Sequence, residues 1–165
     1  MDIKFAIVTC SDTRTIEEDT AGAALAELIR QNGWSVASHV IVKDERDEIG
    51  KAIVAACDEA GADVVLTCGG SGLSLRDVTP EATRDVCDRE VPGIAEAMRA
   101  HSLKITGRAM LSRAVSGIRG KTLIVNLPGS PKAVAESLEV LLPVLGHAVE
   151  TLGGNTQSCG GNYGK

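Results

Sequence analysis

Three short serine-bearing turns, the second and third also carrying glycine, each close an apolar run: Thr9-Cys10-Ser11-Asp12, Cys68-Gly69-Gly70-Ser71-Gly72 and Leu127-Pro128-Gly129-Ser130-Pro131-Lys132. Glycine-rich turns that lead into helix N-termini expose backbone N–H groups able to cradle phosphate oxygens. Any one of them reads as an ordinary strand-to-helix turn; three together, one ending in a lysine, point to an anion site. Two carboxylates sit in the same class of loop, Asp44 after a second apolar run and Asp77 after the glycine turn. Magnesium takes one or two carboxylates plus substrate phosphates. Asp44 and Asp77 are therefore either joint Mg²⁺ ligands or caps for the helices that follow them. Glu81, in the first turn of the next helix, reads as a charge favoured by the positive helix end.

Charge is distributed unevenly along the chain. The formal net charge is −5, yet no Asp or Glu occurs from Ala97 through Ala135. That window holds Arg99, Lys104, Arg108, Arg113, Arg119, Lys121 and Lys132. Such a stretch is a solvated basic face or a subunit contact, and equally a surface that can hold a polyanionic ligand. Arg113 and Lys132, each beside a serine-bearing turn, are the better candidates for ligand contact. The three histidines, His39, His101 and His147, are scattered, and structural roles are expected for them.

These loops need a frame, and the patterning supplies one. Apolar runs at Ile3–Thr9, Trp34–Val42, Val64–Thr67 and Leu123–Leu127 read as strands, with Val36, Val40 and Val42 in two-residue register and a short strand at Ala114–Ile118. Between them lie segments with helical spacing: Ala21 to Gln31, a stripe of Ile49, Ile53 and Ala56, a helix opening at Thr79-Pro80-Glu81, and Lys132 to Leu152. Pro92-Gly93 is expected to break the third of these, with another amphipathic piece running to about Lys104. Helix-length connections predict a mostly parallel sheet covered on both faces, a three-layer α/β/α domain over residues 1–152. A flexible glycine-rich tail is expected over 153–165. Ligands in such sheets gather beyond the carboxyl ends of the strands, where the three turns fall.

Composition narrows the ligand. With 165 residues, one domain is the natural expectation. Phe5, Trp34 and Tyr163 are the only aromatic residues, too few for the stacking platforms of single-strand nucleic-acid readers, and net acidity also disfavours nucleic acid. Five cysteines without paired spacing, no secretory signal and no apolar stretch long enough for a membrane predict a cytoplasmic protein. Two near-motifs fail: a phosphate loop ending at Gly120-Lys121-Thr122 would need glycine where Val115 stands, and a dinucleotide fingerprint from Gly70 would need it at Leu75.

At Gly69-Gly70-Ser71-Gly72 followed by Arg76-Asp77-Val78-Thr79-Pro80-Glu81-Ala82-Thr83, the sequence resembles the molybdenum-cofactor biosynthesis family of MogA/MoaB type, the molybdopterin adenylyltransferases. Ser71 stands where that signature usually has threonine. Ser11-Asp12, Asp19 with Gly22, Val42-Lys43-Asp44-Glu45, Asp88 to Gly93, Leu111-Ser112-Arg113-Ala114 and Leu127 to Lys132 extend the resemblance, in order, over about residues 3–150. The resemblance implies a three-layer α/β fold and a Mg²⁺- and ATP-dependent transfer of AMP to the terminal phosphate of molybdopterin, with release of pyrophosphate. It implies catalysis and metal placement by Asp44 and Asp77. Ser11, Asp12, Gly69, Gly70, Ser71 and Gly72 would line the nucleotide and pterin pocket, and Pro128, Gly129, Ser130 and Lys132 would receive a phosphate. A homo-oligomer, trimer or hexamer, and hand-off to a molybdenum insertase are implied as well. The alternative is a non-catalytic MoaB-type protein that binds or carries molybdopterin. An intact carboxylate pair favours the enzyme, since a pure anion binder gains nothing from two carboxylates.

Overall fold

The computed structural model describes residues 1–155; the remainder of the expected tail, with Cys159 and Tyr163, lies outside the described residues. The chain alternates strand and helix: β1 (Lys4–Cys10), α1 (Thr20–Gln31), β2 (Ser35–Val42), α2 (Arg46–Asp58), β3 (Val64–Cys68) and α3 (Thr79–Val86). There follow β4 (Arg89–Glu90), α4 (Pro92–Leu103), β5 (Ser116–Arg119), β6 (Thr122–Leu127) and α5 (Pro131–Leu152). The six strands form one sheet in the order β2-β1-β3-β6-β5-β4. Its first four members are parallel, and β5 and β4 extend it antiparallel beyond β6. This is the mostly parallel α/β architecture that the patterning predicts.

Strand alternation divides the core. On β1, Phe5 and Ile7 face one side with Leu66, Val125, and Leu25, Leu138 and Leu145 of α1 and α5. Ala6 and Val8 face the other with Val65, Ile124, and Ile49, Ile53 and Ala82 of α2 and α3. All of these are fully or almost fully buried, as expected of parallel strands covered on both faces. Trp34 stacks on Phe5 with ring centroids 5.4 Å apart, at the strand ends away from the glycine turns.

Three boundaries differ from the sequence expectation. The register of β2 against β1 shifts between Phe5 and Ala6, so Phe5 pairs with Val36 while Ala6 pairs with Ser38. A one-residue slip exchanges faces, and Val36 packs in the Phe5 layer while Val42 packs in the Val8 layer. Val36, Val40 and Val42 therefore do not form one continuous stripe. Second, α3 ends at Val86, before the proline, and Pro92 opens α4 instead of closing its predecessor. A first-turn position is where the missing proline N–H costs nothing. Third, the strand expected over Ala114–Ile118 begins at Ser116 and turns at Gly120, φ +56°, into β6.

Candidate functional site

The carboxyl ends of β1, β2, β3 and β6 meet along one edge of the sheet. The glycine turn after β3 is shaped by backbone: Gly69 and Gly70 have φ of +92° and +68°, values open to glycine at little cost. A Cβ on Gly69 would stand 2.8 Å from the carbonyl oxygen of Cys10, and one on Gly70 would strike the Thr79 hydroxyl and approach Asp44 Oδ1 at 3.3 Å. Thr79 holds the turn against α3, its hydroxyl donating to Gly69 O at 3.0 Å and its amide to Gly70 O at 3.1 Å.

Beside this turn the loops after β1 and β2 are interlocked through two acids. The amide of Asp12 donates to Asp44 Oδ2, and the amide of Asp44 donates to Asp12 Oδ1, both at 3.1 Å. Arg76, from the loop after the glycine turn, closes a fork on Asp12 at 3.0 and 2.9 Å and reaches Glu45 Oε1 at 2.8 Å. The guanidinium holds the Asp12 carboxyl below its usual range. Asp44 moves the other way: desolvation first, then the neighbouring Asp12 and Asp77 charges, raise its pKa. Its second oxygen, Oδ1, is buried without a hydrogen-bond partner. Asp77 Oδ2 accepts from the Ser74 amide at 3.0 Å. Neither acid caps a helix, because Glu45 and Val78 occupy the N-cap positions of α2 and α3.

Arg113 is engaged with protein on every side. It donates to Gly72 O at 2.7 Å and Asp77 O at 2.6 Å and forms a short ion pair with Glu81, while its own amide donates to Ser71 O at 2.8 Å. It thereby pins both ends of the 72–77 loop. Glu81, read from sequence only as a favourable charge at the helix start, is the counter-ion that keeps this brace in place, and Arg113 lowers its pKa. Ser11 Oγ accepts from the Thr13 and Arg14 amides, and Ser130 Oγ accepts from the Ala133 amide as the cap of α5. Lys132 extends into solvent, 3.8 Å from Glu136.

A cavity of about 460 Å³ opens between the glycine turn, α4, the 3₁₀ turn Gly107–Leu111 and the start of α5. Gly69, Gly70, Ser71, Gly72, Asp77, Pro128 and Gly129 line it. Ser11, Asp12, Asp44, Arg113, Ser130 and Lys132 do not. The basic residues on its wall are Arg99 and Arg108, drawn from the same acid-free stretch. Arg99 is steadied by donating to Ala114 O at 2.8 Å. Burial pushes the nearby Cys10 thiol up to about 12, so it stays protonated and is no nucleophile.

The residues present suit a hard cation on the acid side of the turn. Asp44 Oδ1 is an orphaned buried oxygen, and a buried polar atom without a partner is costly unless something satisfies it. Among the described residues no three His, Cys, Asp or Glu side chains converge into a metal cage. A Mg²⁺ that borrows oxygens from a bound phosphate needs none.

Several supporting residues went unread in the sequence. Asn126 donates to the hydroxyls of Thr67 and Thr83 at 3.0 and 2.8 Å and accepts from the Val115 amide, tying β3, α3 and the 112–115 segment together behind the cavity. Arg14 ties the β1 loop to Gly129 O at 3.2 Å. Asp19, noted only beside Gly22, is buried and accepts from Thr9 Oγ1 at 2.6 Å and the Gly22 amide at 2.9 Å, with His39 at 2.7 Å. Only the spacing of Asp19 and Gly22 hinted at this network.

The family model described as "Probable molybdopterin binding domain" matches residues 6–147. A molybdopterin adenylyltransferase of Helicobacter pylori (strain J99) is 42% identical over 157 residues, covering 93% of this chain and 89% of that protein. Molybdenum cofactor biosynthesis protein B of Bacillus cereus is 42% identical over 149 residues, 88% of each chain. The solved structure of the molybdopterin biosynthesis enzyme MoaB from Thermus thermophilus superposes with a TM-score of 0.84 at 47% identity, covering 92% of this chain and 97% of that one. A match running from β1 into α5 takes in all the strands and every loop described above, and this chain belongs to the molybdenum-cofactor biosynthesis family.

Proposed function

We propose that the chain is a molybdopterin adenylyltransferase, moving AMP from ATP to the molybdopterin phosphate and releasing pyrophosphate. The observation that carries this reading is the unpartnered, buried Oδ1 of Asp44 beside the glycine turn. A site built only to hold an anionic pterin has no use for a spare anionic acceptor of that kind. The 42% identity to a protein named for this activity supports the same conclusion.

In this reading the terminal phosphate oxygen of molybdopterin attacks the α-phosphorus of ATP. A P–O bond forms there as the bond to the pyrophosphate oxygen breaks. The nucleophile is already ionised, so no residue has to take a proton from it. Alignment and charge neutralisation make up most of what the protein supplies. The Gly69–Gly72 backbone would approach the nucleotide closely, with no side chain in the way except the Ser71 hydroxyl. Arg99 and Arg108 would absorb negative charge from the cavity wall, and Pro128, Gly129, Ser130 and Lys132 would meet a phosphate at the start of α5. Asp44 and Asp77 would hold Mg²⁺, which when bound neutralises triphosphate charge. With so few aromatics, adenine would rest on glycine backbone and aliphatic side chains. The same reading makes the chain a cytoplasmic homo-oligomer, trimer or hexamer, whose product passes to a molybdenum insertase. Among the described residues no helix is long and apolar enough to cross a membrane.

The test is incubation with molybdopterin, Mg²⁺ and ATP labelled at the α-phosphate. Label on the pterin and an equal release of pyrophosphate are expected. Tight pterin binding with no label transferred would establish the carrier instead.

A further inference from the structure

The acid side of the site holds more carboxylate than one magnesium ion needs, and one arginine disposes of the excess. Asp12 and Asp77 both act electrostatically on Asp44, and Glu45 follows directly after it. Arg76 ties up two of these four acids, gripping both oxygens of Asp12 and one of Glu45. Because the Asp12 amide in turn fixes Asp44 Oδ2, the fork leaves Asp44 Oδ1 as the free buried oxygen. A hard divalent cation binds the more readily the more anionic oxygens surround it. With Asp12 withheld and a fixed positive charge beside it, the site offers too little to hold a bare ion. Phosphate oxygens brought by a nucleotide complete the set.

Building on the proposed nucleotidyl-transfer reading, we infer that Arg76 is a specificity determinant that makes the acid site select metal–nucleotide over free metal. It does so by occupying Asp12 with its guanidinium fork. The positive charge of Arg76 and the withdrawal of Asp12 act in the same direction, against the bare cation. Arg76 and Asp12 lie at the surface, with side chains 51% and 36% exposed, so replacing either leaves the core untouched.

The experiment titrates Mn²⁺, followed by its paramagnetic resonance signal, into the full-length protein with and without ATP. Arg76→Gln should bind free Mn²⁺ at least about tenfold tighter than the parent protein, the scale expected for removing one nearby like charge. Adding Asp12→Asn to Arg76→Gln should cancel most of that gain. Asp12→Asn alone should leave free Mn²⁺ affinity within about threefold of the parent. Unchanged or weaker free Mn²⁺ binding by folded Arg76→Gln overturns the role of Arg76. So does a tenfold loss in Asp12→Asn alone, which would make Asp12 a ligand in the native protein. Asp44→Asn separates this from failure of the site itself. If Mn²⁺–ATP binding falls in Asp44→Asn and Arg76→Gln gives no gain, Arg76 alone was misread. If Mn²⁺ binding ignores Asp44→Asn in every background, the acid site and the inference resting on it both fall.

Discussion

Asp12 and Asp44 clasp one another, each amide donating to the other's carboxylate at 3.1 Å. The pair joins the loops after β1 and β2 just beyond the last backbone bond of that ladder, from the Ser11 amide to Val42 O at 2.9 Å. Two acids held this close repel, and the structure divides the burden: Arg76 keeps Asp12 ionised, while Asp44 remains the strained partner with the raised pKa.

Asp44→Asn is expected to raise Tm by about 1–3 °C at pH 7 while abolishing AMP transfer. The sign follows from linkage. A carboxyl whose folded pKa lies above its unfolded value favours the folded state at low pH, and that advantage is lost as pH rises through the folded pKa. Above it, removing the charge relieves the fold. Differential scanning calorimetry at pH 4 and pH 7 checks this; a lower Tm at pH 7 would contradict the assignment.

Asp77→Asn should cut transfer by about 10²-fold or more with pterin affinity nearly intact, because a group that neutralises transition-state charge contributes little to ground-state binding. Turnover assays beside equilibrium pterin binding separate the two. Undiminished turnover would remove Asp77 from the chemistry.

Arg113→Ala is expected to cost about 1–3 kcal/mol, since Gly72 O, Asp77 O and Glu81 lose their donor together. Glu81 has a depressed folded pKa, so its share of the stability is present above the unfolded value and lost as pH falls through the folded one. Urea unfolding should therefore show a gap between parent and variant at pH 7 that narrows at pH 3. A gap independent of pH would mean that Glu81 is not the partner that counts.

Gly70→Ala should destabilise by about 1–3 kcal/mol, from left-handed backbone and from the collision of the new methyl with the Thr79 hydroxyl. It should also reduce transfer, as the methyl crowds Asp44 Oδ1. Gly120→Ala is the control: its φ is also positive at +56°, but open space surrounds it. Loss of stability with full activity is expected there.

Much of this was legible in the chain itself. Periodicity located five of the six strands, all but the two-residue β4. The turns at Ser11, Gly69 and Pro128 marked strand ends that gather at one edge of the sheet, and Asp44 and Asp77 stood out as acids in the loops after β2 and β3. What escaped depends on contacts between distant segments. Arg113 looks like a ligand-binding base until the fold brings Glu81, thirty-two positions away, against it. The face change in β2 leaves no trace in a run of alternating valines, because a register slip is decided by the partner strand. His39 and Asp19 read as isolated until β2 is laid beside β1.

The stacked pair of Phe5 and Trp34 also decides how this protein can be watched. Trp34 is its sole tryptophan, so emission excited at the red edge, where Tyr163 does not absorb, has a single origin, and that origin lies at the opposite ends of the strands from the glycine turn. That indole emission will trace cooperative loss of the sheet, and under the proposed function it will be silent when nucleotide or pterin binds beside the glycine turn. A fluorescent readout of occupancy has to be installed, and Leu75, 98% exposed beside Arg76, is the place where a new indole would see the ligand without disturbing the core.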